Sequence, residues 1–105
     1  MTPTLSAAAE ADILRQIERY AEQGLPPIAH RFQTAVLASM DALSRMPTSG
    51  PPVPTANPRL AGLRRWPVKG FAEFWVYYLG SPDAAIVVRI LHSKRDVGTI
   101  LDDRP

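Results

Sequence analysis

The order of signals along this sequence predicts an α+β fold, in which an N-terminal helical hairpin packs on a three- to four-stranded antiparallel sheet. Three observations carry that expectation. Two early stretches repeat apolar residues three and four positions apart, the spacing of a buried helical stripe. Three later stretches are rich in aromatic and β-branched residues and are separated by short turns, as in an antiparallel meander. Between the two sets stand Pro47, Pro51, Pro52, Pro54 and Pro58, a density that neither a helix nor a central strand tolerates.

Residues 2–5 are placed to add a short edge strand before the first helix. Ser6 is a good N-cap, and strong helix formers follow over 7–23, with Ile13, Ile17 and Tyr20 or Ala21 on one stripe. Asp12, Arg15, Glu18, Arg19 and Glu22 are expected on the solvent face of this helix. Gly24 stops it, and Pro26 and Pro27 suit the first positions of a second helix. Ile28, Phe32, Val36, Met40 and Leu43 mark the second stripe. So short a connection folds the two helices back as an antiparallel hairpin, over about residues 6–46.

Residues 47–58 read as an ordered surface loop, because the pieces on either side are each too small to fold alone. Strands are expected over 60–68, 71–79 and 84–91 or 84–92, the longer form ending on His92, with Gly80, Ser81, Pro82 and Asp83 as a turn. On the middle strand Phe74, Val76 and Tyr78 share one face, and Trp75 and Tyr77 the other. Both faces are apolar, so both should be covered. The hairpin can cover only one, which leaves the other exposed or waiting for a partner. A tail over 93–105 ends what is expected to be a single domain, 1–105.

The 105 residues suit one modest core. There is no cysteine, which excludes disulfides, thiolate zinc sites and a cysteine nucleophile and fits a cytoplasmic location. The apolar runs are too short to span a bilayer, and residues 2–11 hold Glu10 but no lysine or arginine, so neither a membrane partner nor a signal peptide is expected. The charge is unevenly placed. Residues 1–58 carry four arginines against five acidic groups, a net −1, and residues 59–105 carry eight basic groups against five acidic ones, a net +3. Such asymmetry serves either as a solubilising surface or to steer an acidic partner or a phosphate backbone.

The segments Leu63-Arg64-Arg65-Trp66-Pro67-Val68, Phe74-Trp75-Val76-Tyr77-Tyr78 and Leu91-His92-Ser93-Lys94-Arg95-Asp96, in this order and spacing behind a helical hairpin, resemble the RelE/ParE superfamily of type II toxins, on its ParE-like side. The resemblance spans roughly residues 2–101. It implies a toxin of a toxin–antitoxin system that inhibits growth by poisoning DNA gyrase through contact. It also implies a cognate ParD-type antitoxin whose C-terminal segment wraps the toxin in a heteromeric complex. The alternatives are a RelE-like, ribosome-dependent messenger-RNA endoribonuclease and a relative that binds its partner but does not kill.

Cleavage of a phosphodiester needs cations on the scissile phosphate and acid–base groups beside the 2′-hydroxyl. The sequence offers Arg64, Arg65, Lys69, Glu73, Tyr77, Tyr78, Arg89 and His92. Plainer readings compete for most of these, and Tyr77 and Tyr78 suit core or interface aromatics, since an unperturbed phenol titrates near ~10. Arg64 and Arg65 alternate across a strand, so only one can face a given site. Arg89, between Val88 and Ile90, suits an ion pair or a partner contact. His92 suits a structural hydrogen bond. Arg95 and Asp96 suit a local salt bridge or a cap. His30 and His92 lie in different elements without a carboxylate pattern, so no metal site is expected, and no Gly-rich phosphate loop calls for a cofactor. We therefore expect no catalytic residue. Trp66, Trp75, Tyr77 and Arg89 are the candidate antitoxin anchors, on the uncovered sheet face and the adjacent helix surface. Arg64, Arg65, His92, Lys94 and Arg95 are the candidates for engaging the target.

Overall fold

Ser6 starts the first helix and fastens it to the sheet. Its hydroxyl oxygen accepts the Ala9 N–H at 3.0 Å as N-cap and donates to the Val88 carbonyl at 2.7 Å, while its own N–H reaches the Val87 carbonyl at 2.9 Å. The computed structural model describes residues 3–102. In it β1 (Thr4–Leu5) leads through Ser6 into α1 (Ala7–Glu22). The Thr2 end of the expected edge strand and residues 103–105 of the tail lie outside the described residues.

Gly24 ends the helix as expected. At φ 73° it lets its N–H reach the Ala21 carbonyl and lets the Leu25 N–H reach the Tyr20 carbonyl, the paired bonds of a left-handed helix terminus. Pro26 and Pro27 open α2 (Pro26–Arg45), whose buried stripe includes Phe32, Val36, Met40 and Leu43.

The sheet contains β2 (Arg64–Pro67), β3 (Phe74–Ser81) and β4 (Ala84–His92), in the order β1-β4-β3-β2. β2, β3 and β4 form the expected antiparallel meander, but β1 joins β4 parallel. A two-residue strand joined to its neighbour by no tight turn escapes the constraint that makes hairpins antiparallel. The β3–β4 turn is tighter than expected, because Gly80 and Ser81 still pair with Ala85 and Ala84. Tyr77 pairs with Arg89 and Tyr78 with Val87, so Val88 is an extra residue, a bulge that turns β4 beside α1.

The two faces of β3 divide as the alternation predicts. Phe74, Val76 and Tyr78 enter the core beneath the hairpin with Phe32, Val36 and Val87. Tyr77 enters a second cluster with Leu60, Leu63, Leu91 and Leu101. This corrects one expectation, because much of the face opposite the hairpin is already covered. Val53 of the proline-rich loop, a 3₁₀ turn (Pro58–Leu60) and a third helix, α3 (Val97–Asp102), close over it. Burying Leu63, Leu91 and Leu101 stabilises by about 1.5–3 kcal/mol each, enough to hold a six-residue helix that would not form alone.

Polar bonds pin the loop and α3. Asp102 accepts the Thr55 hydroxyl at 2.7 Å and the Ala56 N–H at 2.9 Å. Asp96 caps α3 by accepting the Thr99 N–H at 3.3 Å and its hydroxyl at 2.7 Å. The loop also guards the β2 edge: Arg65 N–H donates to the Pro51 carbonyl, Val53 N–H to the Leu63 carbonyl, and Arg64 Nη1 to the Gly50 carbonyl at 2.7 Å. Among the described residues, no helix is long and apolar enough to cross a membrane.

Candidate functional site

Asp12 is a buried ligand for the sheet rather than a solvent-face residue. It sits on α1 one position before the core residue Ile13 and is 7% exposed. Its Oδ2 accepts Arg89 Nε at 2.8 Å and the Ile90 N–H at 2.9 Å, and its Oδ1 accepts Arg89 Nη2 at 2.9 Å. β1 pairs with β4 only at Ile86 and Val87, so beyond that point the Asp12 carboxylate takes the place of a strand along the β4 edge. The Asp12 hydrogen bonds hold the Arg89 guanidinium above its ordinary pKa, against the effect of its burial. Arg89 is therefore an internal ion-pair partner of Asp12, with its side chain still 22% exposed.

The other proposed antitoxin anchors do not form one face. Trp66 packs against the hairpin-side core, whereas Trp75 packs against the second cluster. Tyr77 is 3% exposed in that cluster. Burial raises its pKa, opposed by the nearby Arg65 charge. Trp66 and Trp75 keep part of their surface, and the Arg65 guanidinium lies 4.1 Å from the Trp75 ring centroid, a cation–π contact. The four candidates thus sit in three separate settings.

The target-binding candidates divide in two. Arg64 lies opposite Tyr78 on β2, and His92 lies opposite Phe74 on β4. Four residues along the sheet and two strand spacings across it separate them, roughly 13 Å by roughly 10 Å. Arg64 bonds the loop and Arg65 stacks on Trp75, so neither joins His92, Lys94 and Arg95. Lys69, in the β2–β3 turn, is exposed.

His92, Lys94 and Arg95 meet α1 instead. Together they line a groove of about 430 Å³ that also takes Arg15, Gln16 and Arg19 from α1 and has Phe32, Phe74 and Ile90 at its base. Glu73 anchors the far wall. Its backbone carbonyl accepts the Ser93 N–H at 2.7 Å, and its carboxylate lies 2.9 Å from His92 Nε2 and 3.8 Å from Lys94 Nζ. The Lys94 N–H donates to His92 Nδ1 at 3.0 Å, which places the neutral ring's proton on Nε2, directed at Glu73. Phe74 supports the ring edge-on, centroids 5.0 Å apart. Both imidazole nitrogens are engaged, which is the structural hydrogen-bonding reading of His92.

The groove holds four formal cations, Arg15, Arg19, Lys94 and Arg95, against the carboxylates of Asp12 and Glu73, a balance of +2. Asp12 already serves Arg89 and, at 3.5 Å, Arg15. Among the described residues Arg19 and Arg95 have no ion-pair partner. Chemically, this is a cationic rim over an apolar base, suited to holding an anion beside an apolar group. Among the described residues no group of three or more metal-ligating side chains gathers. Sequence periodicity puts Arg15 and Arg19 on the solvent face, and Glu73 stands among the residues a nuclease would need rather than among the target-binding candidates. The available signal was the polar stripe Asp12, Arg15, Gln16, Arg19 and Gln23 at helical spacing.

Residues 4–97 match the family model described as the ParE toxin of the type II toxin–antitoxin system parDE. The fold is similar to that of a chain in the structure of the chromosomal ParDE TA system from P. aeruginosa. The TM-score is 0.71 at 17% identity, over 90% of this chain and 97% of that one. A search of curated proteins found no match.

Proposed function

Because the chain belongs to the ParE toxin family of type II toxin–antitoxin systems, we propose that it arrests growth by engaging DNA gyrase through protein contact. In this reading it carries out no catalysis, acts in the cytoplasm, and is silenced by a ParD-type antitoxin in a heteromeric complex. The tail from His92 onward, with Lys94 and Arg95, is the surface offered to the target.

The observation that carries the non-enzymatic reading is the engagement of the acid–base candidates. His92 has one nitrogen accepting from Lys94 and the other facing Glu73. Arg89 is neutralised by Asp12. Tyr78 is fully buried, its hydroxyl accepting the Gly50 N–H. Burial raises the Tyr78 phenol's pKa, opposed by that hydrogen bond and by the Arg64 charge, so it is a poor proton donor near neutrality. General acid–base catalysis needs a group free to exchange a proton at the reacting atom.

One observation favours the endoribonuclease alternative: His92, Lys94 and Arg95 share a groove with Arg15 and Arg19. Induction without antitoxin separates the readings. Gyrase poisoning is expected to give early DNA-damage signalling while translation continues. Rapid loss of translation with cut messages would refute it in favour of the nuclease. No growth defect from folded, abundant protein would leave only partner binding.

A further inference from the structure

We propose that the groove between α1 and the β4 tail is a docking site for an acidic segment of the antitoxin, one that sets a carboxylate between Arg19 and Arg95 and an apolar side chain on the base beneath. The proposal rests on the antitoxin reading above and gives it a location and a chemistry. The face expected to receive the partner is largely covered by the chain's own loop, 3₁₀ turn and α3. The groove is open, by contrast, and holds unneutralised charge.

Charge complementarity selects the occupant. Arg19 and Arg95 are exposed and lack ion-pair partners among the described residues, while the groove's two carboxylates are already shared by Arg15, Arg89, His92 and Lys94. A carboxylate from outside would complete the set, and arginine's planar fork favours it in two-point geometry. The base supplies the apolar half of the recognition: Tyr20 is half-buried there and packs edge-on against Phe32, centroids 5.8 Å apart.

A nucleic-acid strand fits less well. It would bring a phosphate with every nucleotide. Those phosphates would pass the exposed Glu18 and Glu22, which follow Arg15 and Arg19 by one helical turn, and Glu73 on the facing wall. A peptide can place its carboxylate at the cations and neutral residues beside the acids. Occupation would also cover Lys94 and Arg95, which gives neutralisation a direct steric route.

The test measures binding of the ParD-type antitoxin to the full chain across a salt series, for wild type and for the Arg19→Glu/Arg95→Glu double variant. Both side chains are exposed, so an unchanged melting temperature is expected, and Arg19→Gln/Arg95→Gln serves as a milder version. The expected result is at least about tenfold weaker Kd and a shallower salt dependence, as for loss of a paired charge at an interface. Arg59→Glu, on the 3₁₀ turn over the opposite face of the sheet, is expected to leave Kd unchanged. Unchanged affinity in both folded double variants overturns the proposal. So does an oligothymidylate that binds wild type and loses binding in the double variants while antitoxin affinity holds, since that would assign the groove to nucleic acid. If wild type binds no antitoxin and none relieves its growth arrest, the functional reading fails along with this one.

Discussion

Replacing Asp12 by alanine removes the acceptor that ties α1 to the outer edge of β4. Besides the exposed Arg15, which loses a contact at 3.5 Å, two less exposed groups lose their partner. The Arg89 guanidinium, whose side chain is 22% exposed, loses both of its bonds, and the Ile90 N–H, on a residue 4% exposed, loses its acceptor. Breaking a buried pair by removing one side costs about 3–5 kcal/mol. Arg89 can recover some water through its exposed fraction, so the expected loss lies near the low end, about 3 kcal/mol. Arg89→Ala should cost less, about 2 kcal/mol, because Asp12 keeps the Ile90 N–H and the more distant Arg15. In the double variant the orphaned charges disappear together, so the total should fall short of the sum by about 1–2 kcal/mol. Urea unfolding at neutral pH, followed by circular dichroism, gives all three values. An Asp12→Ala loss below about 1 kcal/mol, or strict additivity of the pair, would refute the view of this contact as a buried, coupled clasp.

Tyr78→Phe leaves the buried Gly50 N–H without its acceptor at 3.0 Å, and about 1–2 kcal/mol should be lost in the same assay. Gly80→Ala would drive its Cβ into the Pro47 carbonyl, so the loop or the β3 end must shift, at about 1–3 kcal/mol, read as a lowered Tm. Burial raises the pKa of Tyr77 and Tyr78 in the folded state above the ordinary 10.0. The folded chain therefore retains protons that the unfolded chain gives up, and stability should fall as pH rises past 10 and through the folded values. A urea midpoint that stays constant over that window would contradict this. Asp102 is held below its ordinary 3.8 by Thr55 and the Ala56 N–H. Its contribution should be present above that value and lost as pH falls through the lower folded value. Asp102→Ala should loosen α3 at neutral pH, seen as faster amide exchange at Ile100 and Leu101.

Much of the fold was legible because it is local. Ser6, Gly24 and the Pro26–Pro27 pair state where helices start and stop through their own backbone chemistry, and the alternation from Phe74 to Tyr78 names the two faces of β3 outright. What escaped depends on residues far apart in sequence. Asp12 carries a charge beside Ile13, and only a partner 77 residues away makes its burial favourable, so periodicity alone assigned it to water. The cover over Tyr77 comes from an irregular loop and from a helix too short to show a period, both held by contacts that no local pattern encodes. The candidate site was legible in part for the same reason. His92, Lys94 and Arg95 stand together in the sequence, and the structure keeps them together. Arg64 and Arg65 were grouped with them by charge, which says nothing about the strand spacings between β2 and β4. Arg15 and Arg19 were correctly read as exposed, but their apposition to the tail follows from the bulge at Val88 and the Asp12 clasp.

We propose above that this chain stops growth by contact with gyrase rather than by cutting RNA. Purified toxin titrated into a gyrase supercoiling reaction tests it most directly. Gyrase poisoning gives inhibition that saturates near stoichiometric toxin and is prevented by antitoxin bound beforehand. Undiminished supercoiling, with the same preparation cleaving messenger RNA on ribosomes, would contradict it and return the groove to catalysis.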